Sequence, residues 1–256
     1  MTDFYVKKWY LDYVTQNLDA SIIYDGSLRF GPFEYHHSSE LKRKDLHISE
    51  RTNWDNKFCK ITVEENTITC LLKDKTVKWL GKQAPINIPI FKKNDKFINW
   101  NCVQPLSRVE IITGTSVQHA LGYAEQMETN ILPWEFEFDY LNWGRFTSDN
   151  NSLVWTFLDG DFKQILIFLN SKEVEPVNIS LNEIEFKGGT LKIEDTAILR
   201  EGNIVSSLLN TMPSLSKILP KTGFPIFETK ILGKGSLLID GRIDEGYVIH
   251  EEVKWK

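Results

Sequence analysis

Apolar and polar residues alternate along much of this chain with a period of two, which is the pattern of β-strands. The segment 59–73, CKITVEENTITCLLK, alternates on both sides of Glu-Glu-Asn and is predicted to form a hairpin. Segment 152–170 contains two apolar runs joined by Asp-Gly-Asp, and Asp-Gly favours a hairpin turn. Segment 183–195 is expected to turn at its Gly-Gly pair. The pattern therefore predicts short strands joined by tight turns.

Glycine-containing turn signals continue to the C-terminal end. Turns are predicted at Glu-Gly-Asn (201–203), Gly-Lys-Gly (233–235), Asp-Gly (240–241) and Glu-Gly (245–246). Regularly spaced short strands of this kind indicate a β-sandwich or a β-barrel.

Two segments depart from the strand pattern. Residues 205–219 are predicted to form one or two short helices, because Pro213 interrupts a helical pattern and Pro220 ends it. Residues 38–57 are polar and charged, and they are predicted to form a long loop. The predicted fold class is therefore all-β with one or two short helices.

Two stretches of the chain resemble each other. When residues 9–33 are placed over residues 122–146 without a gap, Tyr10 falls on Tyr123 and Asp12 on Glu125. A Leu-x-aromatic-Gly-x-Phe pattern also coincides. Such matches arise from a tandem duplication or by chance when many offsets are tried. A duplication predicts two similar β domains, 1–116 and 117–256.

Composition narrows the class of partner. Of 256 residues, 41% are hydrophobic and 12% are aromatic, with eight Trp, which suits either sheets around a ligand cavity or ordinary sandwich cores. The net charge of −5 argues against a nucleic-acid partner. No apolar run approaches the ~18–20 residues needed for a transmembrane segment. The N-terminus lacks the apolar centre of a signal peptide, so a cytoplasmic protein is expected.

Cysteine spacing and missing motifs limit the chemistry further. Cys59, Cys70 and Cys102 are too few for a disulfide scaffold and too widely spaced for a zinc motif, so no metal is expected. Cys59 and Cys70 could face each other across the first hairpin, which leaves both a bridge and two reduced thiols open. The chain lacks a nucleophile elbow, a P-loop and a dinucleotide fingerprint, and no cofactor is expected.

Several motifs resemble a known family: KWYLDYVT, IIYDGSLRFGPFEY, GYAEQMETNILPWEFEFDYLNWGRF, VWTFLDGD and VIHEEVKW. They are similar to the tandem lipocalin-like (calycin) family, which includes the bacterial carotenoid hydratases (hydroxyneurosporene synthases) and is related in fold to fungal decalin-forming Diels-Alderases. The resemblance implies two lipocalin-like β-barrel or β-sandwich domains that hold a hydrophobic ligand. It also implies addition or cyclisation on polyenes without redox cofactors.

One part of this resemblance concerns single residues. The hydratases have a Gly-Tyr-x-acid segment, and Gly122, Tyr123 and Glu125 match it here. The hydratases continue with His and Asn, whereas Gln126 and Met127 follow here, which puts carotenoid hydration itself in doubt.

Glu125 is the first candidate for a functional carboxyl group. Tyr123 and Glu125 are two residues apart on a predicted strand and share a face. Burial in an apolar cavity raises the pKa of a carboxyl group, and a protonated acid beside a polyene is a general acid. Tyr123 would relay or orient the proton. An ion pair with Arg145, or an exposed Glu125, is the structural alternative.

Other candidates concern ligand binding. Arg145 would clamp an anionic group of the ligand, or instead stack on a Trp and pair with an acid. His250 is a second acid–base candidate, or an edge-strand residue. In 134–143, strict alternation places the acids at 135, 137 and 139 on a solvated face. The remaining predicted ligand-binding residues are aromatic, and they either stack on the ligand or pack in the hydrophobic core. They are Trp134, Trp143, Trp155, Tyr10 and Phe146.

The preferred hypothesis is a cofactor-independent lyase or isomerase, a hydratase or cyclase, that acts on a hydrophobic polyene- or isoprenoid-like small molecule through a carboxylic general acid/base. The alternative is a non-catalytic lipocalin-like carrier of a hydrophobic ligand. A glycan-active sandwich with paired carboxylates is a third hypothesis.

Overall fold

The computed structural model describes residues 4–53, 58–203 and 226–255. These residues form nineteen β-strands and one three-residue 3-10 helix, Pro133–Glu135. The all-β fold class is confirmed. The predicted helices at 205–219 lie outside the described residues. Among the described helical residues, no helix is long and apolar enough to cross a membrane.

The first sheet contains ten strands in the order β4-β3-β2-β1-β10-β9-β7-β6-β5, and β8 pairs with β9. Their bounds are β1 Phe4–Val14, β2 Ala20–Phe30, β3 Phe33–Lys44, β4 His47–Asn53, β5 Cys59–Glu64, β6 Thr67–Leu72, β7 Thr76–Gly81, β8 Ile86–Lys93, β9 Lys96–Thr113 and β10 Ser116–Thr129. The first strand therefore lies beside the last strand of the sheet.

The second sheet contains nine strands in the order β14-β13-β12-β11-β19-β18-β17-β16-β15. Their bounds are β11 Phe138–Thr147, β12 Ser152–Gly160, β13 Gln164–Leu169, β14 Lys172–Val174, β15 Pro176–Ile179, β16 Glu183–Phe186, β17 Gly189–Asn203, β18 Ile226–Ile239 and β19 Arg242–Trp255. If β8 is left out, the second sheet has the same strand order as the first sheet. One of the two sheets is a nearly closed barrel.

This repeat differs from the alignment that the sequence suggests. The order of strands makes β1 equivalent to β11 and β10 equivalent to β19. The alignment instead superposed β1 on β10, and these two strands pair directly, with Tyr10 opposite Glu125 and Asp12 opposite Tyr123. The similar Tyr-x-acid segments are therefore neighbours in one sheet rather than counterparts in two domains.

Contacts divide the chain into two compact units. Unit 1 comprises residues 1–132, 147–153 and 169–172, and unit 2 comprises 133–146, 154–168 and 173–256. The sequence places the boundary between residues 116 and 117, which is the start of β10. The structure divides differently because β10 pairs with both β1 and β9 in the first sheet.

Both faces of the first sheet are buried around β1 and β10. One face packs into an apolar core that includes Leu11, Tyr13, Ile23, Trp79, Val109 and Ala124. The alternate positions on the same strands, Tyr10, Asp12, Tyr123 and Glu125, are also buried. Polar side chains on this second face are therefore removed from bulk water.

Three predicted turns are present, within one residue of their predicted places: Glu65–Asn66, Lys187–Gly188 and Asp240–Gly241. The hairpin predicted at Asp-Gly-Asp (159–161) also forms, but Asp159 and Gly160 belong to β12 and its strands are joined by residues 161–163. Asp240 and Gly241 both have positive φ, 49° and 73°, as the turn that joins β18 and β19 requires.

Three predicted turns are wrong, since residues 201–203, 233–235 and 245–246 lie inside β17, β18 and β19. Gly235 and Gly246 face each other across the β18–β19 pair. A Cβ atom at Gly235 would lie 2.7 Å from the Phe146 ring. That glycine makes room for core packing rather than for a turn.

The loop predicted at 38–57 is also wrong for the residues that are described. Residues 38–44 belong to β3, and β4 spans His47–Asn53. Most of β4 is exposed, and β4 is an edge strand of its sheet. Charged side chains are usual on such edges, so the polar composition that suggested a loop reflects edge exposure.

Cys59 and Cys70 are buried free thiols. Cys59 lies opposite Leu72 and Cys70 opposite Ile61, so the two cysteines are diagonal neighbours. Diagonal positions are ~7–8 Å apart, beyond the usual reach of a disulfide. A hydrogen bond with Cys70, followed by burial, raises the pKa of Cys59. The Cys59 thiol therefore stays protonated.

Candidate functional site

The candidate site begins with Tyr123 and Glu125 on β10. Tyr123 is fully buried and Glu125 is 8% exposed. The Tyr123 hydroxyl donates a hydrogen bond to Glu125 Oε2 at 2.6 Å. The β9–β10 register shifts around Ala124, yet the two polar side chains still meet. The carboxyl group of Glu125 is therefore desolvated and held by a phenol.

Strand β9 supplies two further side chains. Trp100 Nε1 donates to the same oxygen, Glu125 Oε2, at 2.5 Å. Cys102 lies directly opposite Glu125 in the strand pair. Trp100 and Cys102 are both buried. Neither residue is predicted as part of the site from the sequence, because periodicity does not tell which strand lies beside β10.

The pKa values of Tyr123 and Cys102 are shifted so that their protonated forms are favoured. Burial raises the pKa of Tyr123 well above its ordinary value, and Cys102 and Glu125 raise that pKa further. Burial likewise raises the pKa of Cys102 well above its ordinary value. A hydrogen bond with Tyr123 opposes this shift, and Glu125 and Asp12 add to it. The phenol and the thiol are therefore neutral near pH 7, and Tyr123 is a hydrogen-bond donor.

Strands β1 and β2 complete the cluster in unit 1. The Tyr10 ring makes edge contacts with the rings of Tyr123 and Tyr24, at centroid distances of 6.0 Å and 5.4 Å. Asp12 lies opposite Tyr123 and is fully buried. Tyr10 and Asp12 thus join the site as neighbours of β10.

Arg145 belongs to a different unit from Glu125. The sequence assigned both residues to one C-terminal domain, but Tyr123 and Glu125 lie in unit 1 and Arg145 lies in unit 2. Arg145 is fully buried on β11, and its Nη1 donates to the Tyr247 carbonyl oxygen at 3.1 Å. This contact anchors the guanidinium of Arg145 to β19.

The structure does not gather the three candidate tryptophans into one wall. Trp155 packs against Gly144, and its Nε1 donates to Asn142 Oδ1 at 2.7 Å. Because adjacent strand positions point to opposite faces, Trp143 lies on the other face of β11 from Trp155. Trp134 is partly exposed in the 3-10 helix.

The predicted alternation in 134–143 holds only from Phe138, where β11 begins. Residues 133–135 form the 3-10 helix instead. Phe136 and Phe138 still stack on each other, with ring centroids 4.8 Å apart, and both contact the Trp255 ring edge-on. Local aromatic packing therefore overrides the strand pattern at the start of this segment.

Phe146 and His250 are both buried in unit 2. Phe146 contributes to the core beside Gly235. His250 is 1% exposed, and its Nε2 lies 2.9 Å from Asp195 Oδ1. His250 is thus a buried partner of Asp195.

Unit 2 also contains a buried charge network that is not predicted from the sequence. Lys230 contacts Glu251 and lies 3.3 Å from Glu228, and Arg200 lies 2.7 Å from Glu228. The Lys230 ammonium is 5.9 Å from the centre of the Trp143 ring. Glu228 and Lys230, two residues apart on one strand with opposite charges, were the available signal. Within the described ranges, no group of three or more His, Cys, Asp or Glu side chains is placed to hold a metal ion.

The two sheets with one repeated strand order define a tandem lipocalin-like fold, related to that of fungal Diels-Alderases. Kievitone hydratase from Nectria haematococca matches with a TM-score of 0.57 and 8% identity, over 98% of this chain and 89% of that chain. A candidate AttH from Nitrosomonas europaea matches with a TM-score of 0.61 and 11% identity, over 98% and 92% of the two chains.

CghA, a Diels-Alderase solved with Sch210972, matches with a TM-score of 0.58 and 8% identity, over 99% of this chain and 89% of that chain. No family model and no curated protein sequence matches the chain. Identities this low show the shared fold alone.

Proposed function

We propose that the protein is a cofactor-independent hydratase or cyclase that acts on a hydrophobic, polyene- or isoprenoid-like small molecule. Glu125 is its general acid/base, and Tyr123 orients the carboxyl group. The observation that carries the proposal is the buried Glu125 carboxyl, whose Oε2 accepts hydrogen bonds from Tyr123 and Trp100.

The surroundings of Glu125 suit proton transfer to an apolar substrate. A carboxyl group in a water-poor site transfers its proton to a weakly basic carbon or carbonyl oxygen more readily than a hydrated one. The rings of Tyr10, Tyr24 and Tyr123 present aromatic surface close to the acid. Aromatic faces stabilise the positive charge that develops when a polyene is protonated.

The structural neighbours support the same reaction classes. Two proteins that share the fold are named as a hydratase and a Diels-Alderase. Hydration and cyclisation both begin with a bound apolar molecule in a defined conformation. In unit 2, Arg145 and Trp143 stay candidates for ligand contacts, as do Trp134, Trp155, Phe146 and His250.

The test is substitution of Glu125 by Gln, which keeps the shape of the side chain and removes its acidity. Native mass spectrometry of the purified protein identifies any small molecule that it carries. Turnover is then measured with that molecule and with lycopene, an acyclic polyene. We expect a product heavier by one water for a hydratase, or an isomer for a cyclase.

The matched control is Glu128→Gln on the same strand. Glu128 is more exposed and pairs with Lys7 at 3.0 Å, so this variant should keep wild-type turnover. Glu125→Gln should lose roughly 10²–10⁴-fold in rate, the usual contribution of a general acid. Full turnover by Glu125→Gln would refute the role. Recovery of the ligand unchanged from the wild-type protein would favour the carrier function instead.

A further inference from the structure

Two hydrogen bonds meet at one oxygen of Glu125, and one of them comes from a residue with no assigned role. Trp100 is 4% exposed, and its Nε1 lies 2.5 Å from Glu125 Oε2. It lies on β9 opposite Met127, two positions before Cys102, which faces Glu125. The indole therefore reaches the carboxyl group diagonally across the strand pair.

We infer that Trp100 is a positioning residue for Glu125: with Tyr123 it fixes Oε2 as the hydrogen-bond acceptor, so that Oε1 carries and transfers the proton. This inference rests on the proposed function. Two N–H or O–H donors on one oxygen favour negative charge there and disfavour a proton on it. Rotation of the carboxyl group would break both hydrogen bonds, so its orientation is also held.

This arrangement stabilises the charge that forms during the reaction. When Oε1 gives its proton to the substrate, the electrons of the O–H bond stay on the carboxylate. The substrate binds the proton with a π-electron pair. Addition of water, or loss of a proton from the cyclised cation, then returns a proton to Glu125. The two donors to Oε2 bind the carboxylate more strongly than the neutral acid, so they favour the transition state.

Several other titratable side chains lie on the strands around Glu125 in unit 1. They are Tyr10, Asp12 and Lys8 on β1, Tyr24 on β2, Cys102 on β9 and Tyr123 on β10. The Lys8 ammonium lies 5.6 Å from the centre of the Tyr24 ring. Trp100→Phe leaves all of these groups in place, so a change in the Glu125 titration in that variant can be attributed to the lost indole N–H.

The test is a pH titration of Glu125 in the absence of substrate. Carbon NMR on protein labelled at the glutamate carboxyl carbons monitors the titration. Loss of the signal in Glu125→Gln assigns it. Trp100→Phe keeps an aromatic ring and removes the N–H donor. We expect its titration midpoint to move up by about one pH unit, the shift that corresponds to losing one hydrogen bond to a charged group. Tyr123→Phe should move the midpoint in the same direction.

The matched control is Trp79→Phe. Trp79 is equally buried, but its Nε1 donates to the backbone carbonyl of Asp12 at 2.7 Å, so the Glu125 midpoint should not move. The indole N–H resonances of the wild-type protein give a second readout. The Trp100 resonance should lie downfield and move upfield in Glu125→Gln, because a neutral amide is a weaker acceptor.

An unchanged midpoint in folded Trp100→Phe would overturn the inference, as would a Trp100 indole resonance that ignores Glu125→Gln. If Trp100→Phe fails to fold, two other measurements test the inference. They are the titration midpoint in Tyr123→Phe and the change in the Trp100 indole resonance between the wild-type protein and Glu125→Gln. These readouts need no substrate. A shifted titration with full turnover in Glu125→Gln would show that Trp100 binds the Glu125 carboxyl group but that Glu125 transfers no proton, which would refute the proposed function. An unshifted titration with lost turnover in Glu125→Gln would refute the role of Trp100 alone.

Discussion

Gly144 shows how one residue sets the packing of the second sheet. A Cβ atom at Gly144 would lie 2.1 Å from Trp155 Cζ2, which is far inside van der Waals contact. The Trp155 ring therefore lies directly on the backbone of β11, where its Nε1 reaches Asn142. Only glycine allows this approach.

We expect Gly144→Ala to lower the free energy of unfolding by roughly 1–3 kcal/mol, the usual effect of overpacking, because the Trp155 ring must move. Denaturant unfolding followed by tryptophan fluorescence measures the change. Gly81→Ala is the control, since the atoms nearest its Cβ, those of the Gln104 side chain, lie farther away, at 3.2 Å. Equal effects of the two substitutions would contradict this account.

At the residue scale, the sequence predicts which residues of one strand share a face, but it does not predict which residues of two strands lie opposite each other. The shared face of Tyr123 and Glu125 follows from their spacing alone. Trp100 is 25 residues away from Glu125 in sequence, and the hydrogen bond between them depends on the β9–β10 register. No period within a segment encodes that register.

At the scale of elements, the structure separates two uses of glycine that look alike in the sequence. Asp240-Gly241 ends β18 with positive φ at both residues. Gly235 and Gly246 lie inside paired strands, where side chains from elsewhere in the fold occupy the space. A glycine needed for close packing depends on distant residues, so a local pattern mistakes it for a turn.

A buried ion pair links the β6–β7 turn to β3. Lys75 Nζ donates to Glu40 Oε1 at 2.6 Å and to the Tyr13 hydroxyl at 2.9 Å, and Ser21 also donates to Glu40 at 2.9 Å. Burial lowers the pKa of Lys75, but Tyr13 and Glu40 outweigh that effect, and the pKa is raised overall. The lysine is therefore charged in the folded protein.

We expect Lys75→Met to lower the free energy of unfolding by roughly 3 kcal/mol, the low end for a broken buried pair. The Glu40 carboxylate then keeps only the half-exposed Arg51, at 3.4 Å, as a counter-ion. Lys187→Met is the control, since Lys187 and Glu175 form an exposed pair worth at most about 1 kcal/mol. Denaturant midpoints of both variants, with the slope checked, provide the measurement. A small decrease in the free energy of unfolding of Lys75→Met would contradict this account and show that the surroundings of Glu40 rearrange or admit water.

At the scale of the whole molecule, acid stability should depend on the charge network of unit 2. Burial raises the pKa of Glu228, but Lys230 and Arg200 more than reverse this and lower it to about 2, from an ordinary value of 4.5. Because the folded-state pKa lies below the unfolded one, the stabilisation is present above pH 4.5 and is lost as the pH falls towards 2.

We expect the free energy of unfolding of the wild-type protein to fall over this range, and to fall less steeply in Glu228→Gln. Urea unfolding at several pH values measures both curves. Glu173→Gln, an exposed substitution on β14, should behave like the wild-type protein. Parallel curves for Glu228→Gln and the wild-type protein would show that other groups control acid unfolding.

The architecture of the chain was predicted more fully than its internal symmetry. Period-two alternation and turn signals predict an all-β fold, and the structure confirms it. The repeated strand order is present, but the segments that look most alike, around Tyr10 and Tyr123, are strand neighbours in one sheet. The sequence similarity between these segments therefore does not follow the structural repeat.

The pairing of first and last strands has a consequence for synthesis on the ribosome. One edge of β1 pairs with β2, which is synthesised soon afterwards. The other edge stays unpaired until β10 has been synthesised, and Val6 then lies opposite Thr129. In the second sheet, one edge of β11 likewise stays unpaired until β19 has been synthesised. Such distant pairings close slowly, and a nascent chain meanwhile exposes an unpaired strand edge on which other chains can aggregate. Chaperone protection during translation should therefore matter more for this protein than its size suggests.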